Sequence, residues 1–242
     1  MAIILDGKET AKKLRENLKS KVEELKKNNI FPKLAVIMVG DDGASKIYVR
    51  NKSKACEELG IEYEEFLMGD NTTQDELLDL INKLNVREDV HGILLQSPIP
   101  KHLDINEAFR TISPEKDVDG FNPVNVGKLV LGQDTFISCT PFGVIKLLEE
   151  YDIKIEGKNA VVIGRSNIVG KPAAALMLKE NCTVTICHSK TKNLKEVCNN
   201  ADILVAAVGR PNFVTADMVK NRNNAELIQL PTKPDTSKEI TA

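Results

Sequence analysis

The stretch "VVIGRSNIVGKPAAALML" (residues 161–178) decides how the chain is read. Four apolar residues, Ala160 to Ile163, form a buried strand, Gly164 permits a tight turn at its end, and Pro172 suits the first turn of a helix. A strand, a glycine turn and a helix together make a phosphate loop, because free N–H groups and the positive end of the helix dipole face the turn. The spacing departs from G-x-G-x-x-G. Ser166 stands where a second glycine is usual, and Gly170 comes one residue late, so the turn is longer than the standard one. An ordinary strand–turn–helix connection is the competing reading.

The residues downstream bear on the nucleotide. An NAD site places Asp or Glu about twenty residues on, at the end of the second strand, to bind the ribose diol. Here "TVTICHSKTK" ends that strand in His188, Ser189, Lys190 and Lys192, without an acid, and Arg165 sits inside the turn. Cations and hydroxyls at the ribose end favour a 2′-phosphate, and so NADP. Lys190 and Lys192 also read as a solvated loop.

Further out, helical and strand periodicities alternate along the whole chain. Residues 8–28 space Leu14, Leu18, Val22 and Leu25 as an amphipathic helix. "KLAVIMVG" is a buried strand, residues 44–59 a helix, "IEYEEFLM" a strand, and "TTQDELLDLINKL" a helix capped by Thr72 or Thr73. "HGILLQ" is another buried strand and "LDINEAFRTI" another helix. Residues 113–140, rich in Pro, Gly, Asn and Asp, break the rhythm and read as the join between two domains. Thr140 and Pro141 then start a linking helix. The expected fold is α/β: two α/β domains, the second Rossmann-like with a mostly parallel sheet. The boundaries are 1–138 and 139–220, followed by a poorly ordered tail, 221–242.

Two further features point to chemistry. Tyr48, Lys52, Ala55 and Leu59 share a helix face, which puts a lysine in an apolar stripe. Its stem packs while the ammonium snorkels to water, or it sits partly desolvated in a cleft and works as a base, with Ser45 and Tyr48 beside it. Gln96 lies at the carboxyl end of a buried strand, the edge where open α/β sheets bind ligands. In "EKDVDG", Asp117 and Asp119 are either turn formers or acceptors for the edge of a basic heterocycle.

Composition excludes little. A net charge of −2 gives no reason to expect nucleic-acid binding, and there is no membrane-spanning apolar run. "MAIILDGKE" turns acidic too soon for a secretory signal. The five cysteines form no C-x-x-C pair and, with three histidines, give no metal-ligand spacing, so no metal and a cytoplasmic location are expected.

"YVRNK", "GILLQSPIP", "PEKDVDGFNPVNVGKL", "CTPFGV", "VVIGRSNIVGKPAAALM" and "TVTICHSKT" occur in the order found in the methylenetetrahydrofolate dehydrogenase/cyclohydrolase family, the FolD type. The chain resembles that family from about residue 3 to residue 220. The resemblance implies NADP-dependent oxidation of 5,10-methylenetetrahydrofolate to the methenyl form, then hydrolysis to 10-formyltetrahydrofolate. It makes Lys52 the catalytic lysine beside Tyr48, Gln96 its partner, and Asp119 the carboxylate for the pterin ring, with Ser45 at the substrate. Arg165, Ser166, His188 and Ser189 hold NADP, while Gly164 and Gly170 shape the turn. Tetrahydrofolate derivatives and a second copy of the chain, paired through the nucleotide domain, are the implied partners.

The pattern stops near "FVTADMVK". "NRNNAELIQLPTKPDTSKEITA" has no glycine-rich loop of the family's kind, and a sheet position is expected to be poorly filled. A binding-only remnant, with NADP affinity and little turnover, is therefore the alternative to an active bifunctional enzyme. A dehydrogenase of another substrate, such as shikimate, is disfavoured by the first-domain motifs.

Overall fold

The computed structural model describes residues 4–220 and 226–229. In chain order the first elements are α1 (Gly7–Lys27), β1 (Lys33–Val39), α2 (Gly43–Leu59), β2 (Glu62–Met68), α3 (Gln74–Val86), β3 (Gly92–Gln96), α4 (Ile105–Thr111) and α5 (Pro123–Val130). They are followed by α6 (Cys139–Glu150), β4 (Asn159–Ile163), α7 (Gly170–Lys179), β5 (Thr183–Cys187), α8 (Leu194–Asn199), β6 (Ile203–Ala206) and β7 (Glu226–Gln229). Two compact units result, one of residues 11–127 and one of the remaining described residues.

In the unit of residues 11–127 the sheet order is β2-β1-β3, all parallel. Strand alternation sorts β1 onto two faces. Ala35, Ile37 and Val39 pack with Leu77, Ile81, Leu84 and Phe109 of α3 and α4, whereas Val36 and Met38 pack with Val49 of α2. Helices thus cover both faces, as expected of a parallel sheet. Thr73 caps α3 through a reciprocal pair with Glu76, which settles the choice left open between Thr72 and Thr73.

In the second unit the order is β5-β4-β6-β7, again all parallel. Ala160 and Val162 face α6 and α7 through Val144, Leu148, Ala173 and Met177; Val161 and Ile163 face Cys198 of α8. This doubly wound arrangement is the Rossmann-like one read from residues 161–178.

Three details differ from the expectations. The stretch 113–140 contains a helix, α5. Asn122 and Pro123 mimic loop chemistry, yet Asn122 Oδ1 accepts from Val124 N at 2.8 Å and Pro123 is the first helical residue, the positions where both residue types begin helices. Helix α6 begins at Cys139 with Ser138 in the cap position, two residues before the expected Thr140, and the Ser138 hydroxyl does not cap the helix but donates to the Ile168 carbonyl at 2.8 Å. The sheet position beyond β6 is filled: β7 pairs with it over four residues, and Ile228 is buried in the core beside Val205. The rest of the expected tail, 221–225 and 230–242, lies outside the described residues.

Candidate active site

The first cluster lies at the carboxyl ends of β1 and β3. Gln96, the last residue of β3, pairs with Met38 of β1 and is buried. Its Oε1 accepts a hydrogen bond from Lys52 Nζ at 2.7 Å, and its Nε2 donates to the Ser97 carbonyl at 2.8 Å. The second bond orients the amide so that its oxygen faces the lysine. The buried residues of α2 are Ser45, Val49, Cys56 and Leu59, spaced four, seven and three, and Lys52 fills the gap at the centre of that row. Of the expected stripe of 48, 52, 55 and 59, Leu59 is buried and Lys52 lies in the row, whereas Tyr48 is exposed and Ala55 is only partly buried. Tyr48, 46% exposed, flanks the row one turn before Lys52. Ser45 is buried, and both its backbone N and its hydroxyl donate to Asp42 Oδ2 at 2.8 Å, so it fixes the start of α2.

The two aspartates separate sharply. Residues 116–117 run beside β3, with Ile93 N donating to the Lys116 carbonyl at 2.7 Å and a parallel bridge from Ile93 to Asp117. Asp117 is 1% exposed and accepts from Phe121 N, Asn122 N and Asn125 Nδ2, which is turn-holding chemistry. Asp119, partly buried, has no hydrogen-bond partner among the described residues and feels the charge of Lys52. Burial pushes its carboxyl up to about 6, Lys52 pulls against that, and Asp117 adds to it. A carboxylate in a desolvated cleft beside an ammonium, with its lone pairs unspent, is poised to accept hydrogen bonds from a ligand.

The second cluster is a cleft of about 520 Å³ at the carboxyl ends of β5, β4 and β6, within the usual size for a small-molecule site. Gly164, Arg165, His188, Ser189, Thr191 and Arg210 contribute to its wall. Gly164 has φ +125, and a Cβ there would collide with the Ala207 carbonyl oxygen of the neighbouring strand end. A Cβ on Gly170 would collide with the Gly164 carbonyl oxygen and lie 2.8 Å from Arg165 N. The two glycines let strand, turn and helix approach one another, and the offset spacing still delivers the close packing that the standard fingerprint provides.

Ser166 changes the expectation for the turn. Its Oγ accepts from Val169 N at 3.2 Å and Gly170 N at 3.3 Å, its carbonyl accepts from Lys171 N at 3.0 Å, and Pro172 has no N–H. The first donors of α7 are therefore held by the turn itself rather than left for a phosphate, because a hydroxyl now occupies the second glycine's position. The side chains that the cleft offers to an anion are the guanidinium groups of Arg165 and Arg210, Ser189, and His188. His188 is fixed by a local turn in which its N donates to Thr191 Oγ1 at 2.8 Å and its Nδ1 accepts from Lys190 N at 3.1 Å. No carboxylate of the described residues lines the cleft. Thr191 and Arg210 were not singled out in the sequence; the end of "DILVAAVGR" at a strand's carboxyl edge was the available signal for Arg210.

Among the described residues no group of three or more His, Cys, Asp or Glu side chains is placed to hold a metal ion, and no helix is long and apolar enough to cross a membrane.

A doubly wound parallel sheet with a cation-lined cleft at its carboxyl edge defines a dinucleotide-binding unit, here joined to a second α/β unit with its own lysine-centred cluster. The chain belongs to the tetrahydrofolate dehydrogenase/cyclohydrolase family: its catalytic-domain model matches residues 5–119, and its NAD(P)-binding-domain model matches residues 138–236. The second match runs past residue 220, beyond the last of the motifs. The bifunctional protein FolD of Campylobacter concisus is 58% identical over 218 residues, 90% of this chain and 77% of that protein. The crystal structure of the FolD enzyme of Campylobacter jejuni superposes with a TM-score of 0.89 at 49% identity, covering 90% of this chain and 78% of that one. The Trypanosoma brucei enzyme, solved with NADP and an inhibitor, gives a TM-score of 0.86 at 35% identity, covering 90% and 76%.

Proposed function

We propose that the chain carries out the two consecutive reactions of its family: NADP-dependent oxidation of 5,10-methylenetetrahydrofolate to the methenyl cation, and hydrolysis of that cation to 10-formyltetrahydrofolate. The observation that carries this reading is the 2.7 Å bond from Lys52 Nζ to Gln96 Oε1, with Asp119 within electrostatic reach.

The residues of the nucleotide cleft fit NADP. Two guanidinium groups and a serine face a space that no carboxylate of the described residues lines, and the strand β5 ends without the acid that an NAD diol prefers. Arg165, Ser189 and His188 are assigned to hold the coenzyme, with Gly164, Ser166 and Gly170 setting the shape of the turn. When bound, NADP supplies the acceptor for the hydride that leaves the methylene bridge.

The other group of residues handles the folate. Asp119 accepts hydrogen bonds from the N–H edge of the pterin, orienting the one-carbon bridge, and Tyr48 offers an exposed ring for the pterin to pack on. In hydrolysis, water adds to the methenyl carbon and loses one proton, leaving a neutral carbinol. The carbinol hydroxyl then gives up its own proton as the formyl C=O forms, the carbon–N5 bond breaks and N5 gains a proton, so that one proton is released overall. Lys52, as the neutral amine, is placed to take the first proton and to return one to N5, and Gln96 holds it in one direction. Ser45 contributes by fixing the start of the helix that carries both Tyr48 and Lys52.

The assignment of residues 1–138 to folate and 139–220 to NADP is part of this proposal, supported by the two family matches. A homodimer paired through the nucleotide unit is also proposed; β5 is an outer strand of its sheet with Thr185 and Ile186 exposed, and light scattering on the purified protein tests it. Five free cysteines fit a reducing, cytoplasmic location.

The test of function is a steady-state assay with methylenetetrahydrofolate and either NADP or NAD, followed at the methenyl absorbance band. Lys52→Met should abolish hydrolysis and leave NADP affinity intact. Undiminished hydrolysis in that variant would remove Lys52 from the mechanism.

A further inference from the structure

We infer that Arg210 is a second specificity-determining guanidinium, which acts with Arg165 on the extra phosphate that distinguishes NADP from NAD. The inference rests on the NADP reading above and adds to it a residue outside the glycine turn.

Arg165 follows β4, Arg210 follows β6, and Ser189 follows β5, yet all three line one cleft. The sheet order β5-β4-β6 makes their strand ends immediate neighbours. None of the described residues that line it is acidic. Among the described residues neither guanidinium has an ion pair or a side-chain hydrogen bond, whereas Arg87 is clasped by Glu64 and Asp89. The acids that flank Arg210 in sequence are already taken: Asp202 by Lys220 at 2.6 Å, and Asp217 by Lys195 at 2.8 Å. Arg210 sits between Gly209, whose φ is +61, and Pro211, whose ring fixes its own φ, so its backbone direction at the cleft rim is restrained.

A single exposed cation is screened by water and discriminates weakly. Two guanidinium groups from different strand ends, with no carboxylate between them, add their potentials over the same small space. The group that gains most is a dianionic phosphomonoester, which accepts paired N–H donors from each fork. A ribose diol gains little. The pyrophosphate is common to both coenzymes, so a cation serving it alone would affect both equally.

Equilibrium titration of the full chain with adenosine 2′,5′-bisphosphate and with 5′-AMP separates these cases, because the two probes differ by that phosphate alone. Arg210→Ala is expected to weaken the bisphosphate about tenfold, equivalent to about 1.4 kcal/mol, with little change for 5′-AMP. Arg210→Gln, which keeps donors without charge, should behave like the alanine variant, and Arg210→Lys should recover part of the loss. Equal weakening of both probes, or no weakening of either, overturns the inference. A wild-type chain without preference for the bisphosphate would overturn the NADP reading itself and this inference with it. A preference retained in Arg210→Ala would overturn only the role of Arg210.

Discussion

Lys52 Nζ donates to Gln96 Oε1 at 2.7 Å across 44 residues of sequence, so a helix and a strand end jointly aim one ammonium group. Gln96→Leu keeps the volume and removes the acceptor. With Lys52 released to other rotamers, methenyl hydrolysis should fall roughly 10²-fold, the scale of a misplaced acid–base group. NADP affinity should be unchanged. Decay of the methenyl absorbance and a separate NADP titration check both statements.

Asp119 sets a pH-dependent stability. Burial raises its carboxyl from the ordinary 3.8 to about 6, so the folded chain binds this proton more tightly than the unfolded one. Between about pH 4 and pH 6 the folded form holds more protons, and this group's contribution falls as pH rises through that window. Above pH 6 the ionised carboxylate leaves a constant penalty on the order of 2–3 kcal/mol. Asp119→Asn removes the ionisation. Its melting temperature should match wild type near pH 4 and exceed it at pH 7, while folate binding is lost. Thermal melts across that range are the check, and a constant difference at every pH would contradict the assignment.

Asp117 predicts the reverse. It is buried and holds the N–H groups of Phe121 and Asn122 and the amide of Asn125. Asp117→Ala strands those donors in the interior and should destabilise the unit by roughly 3 kcal/mol, most of it from unsatisfied N–H groups. Chemical denaturation measures it.

Gly170→Ala pushes a Cβ into the Gly164 carbonyl and the Arg165 amide, both backbone groups that cannot swing aside. The turn must shift, costing roughly 1–3 kcal/mol of stability and weakening NADP and NAD together. Arg165→Ala, which leaves the backbone alone, should instead narrow the preference for NADP over NAD. The ratio of kcat/KM for the two coenzymes separates the variants.

The local pattern was enough for much of this molecule. The unbroken apolar runs in "KLAVIMV" and "NAVVI" specified buried strands, "TTQDE" specified a capped helix, and "GILLQ" placed Gln96 at a ligand-binding edge. The missing acid after "TVTIC" pointed to NADP. Each of these depends on neighbours within a few residues, which a sequence displays directly. The tertiary structure alone decided the rest. It made Asp117 a buried tie and left Asp119 open, though both stand in "DVD" with the same chemistry. It gave the first amides of α7 to Ser166, started a helix where Asn122 and Pro123 had looked like loop, and brought Arg210 to the same cleft as Arg165. In the long-range cases the partner lies on another strand or helix. Strand order and register choose that partner, and the residue types do not carry that information by themselves.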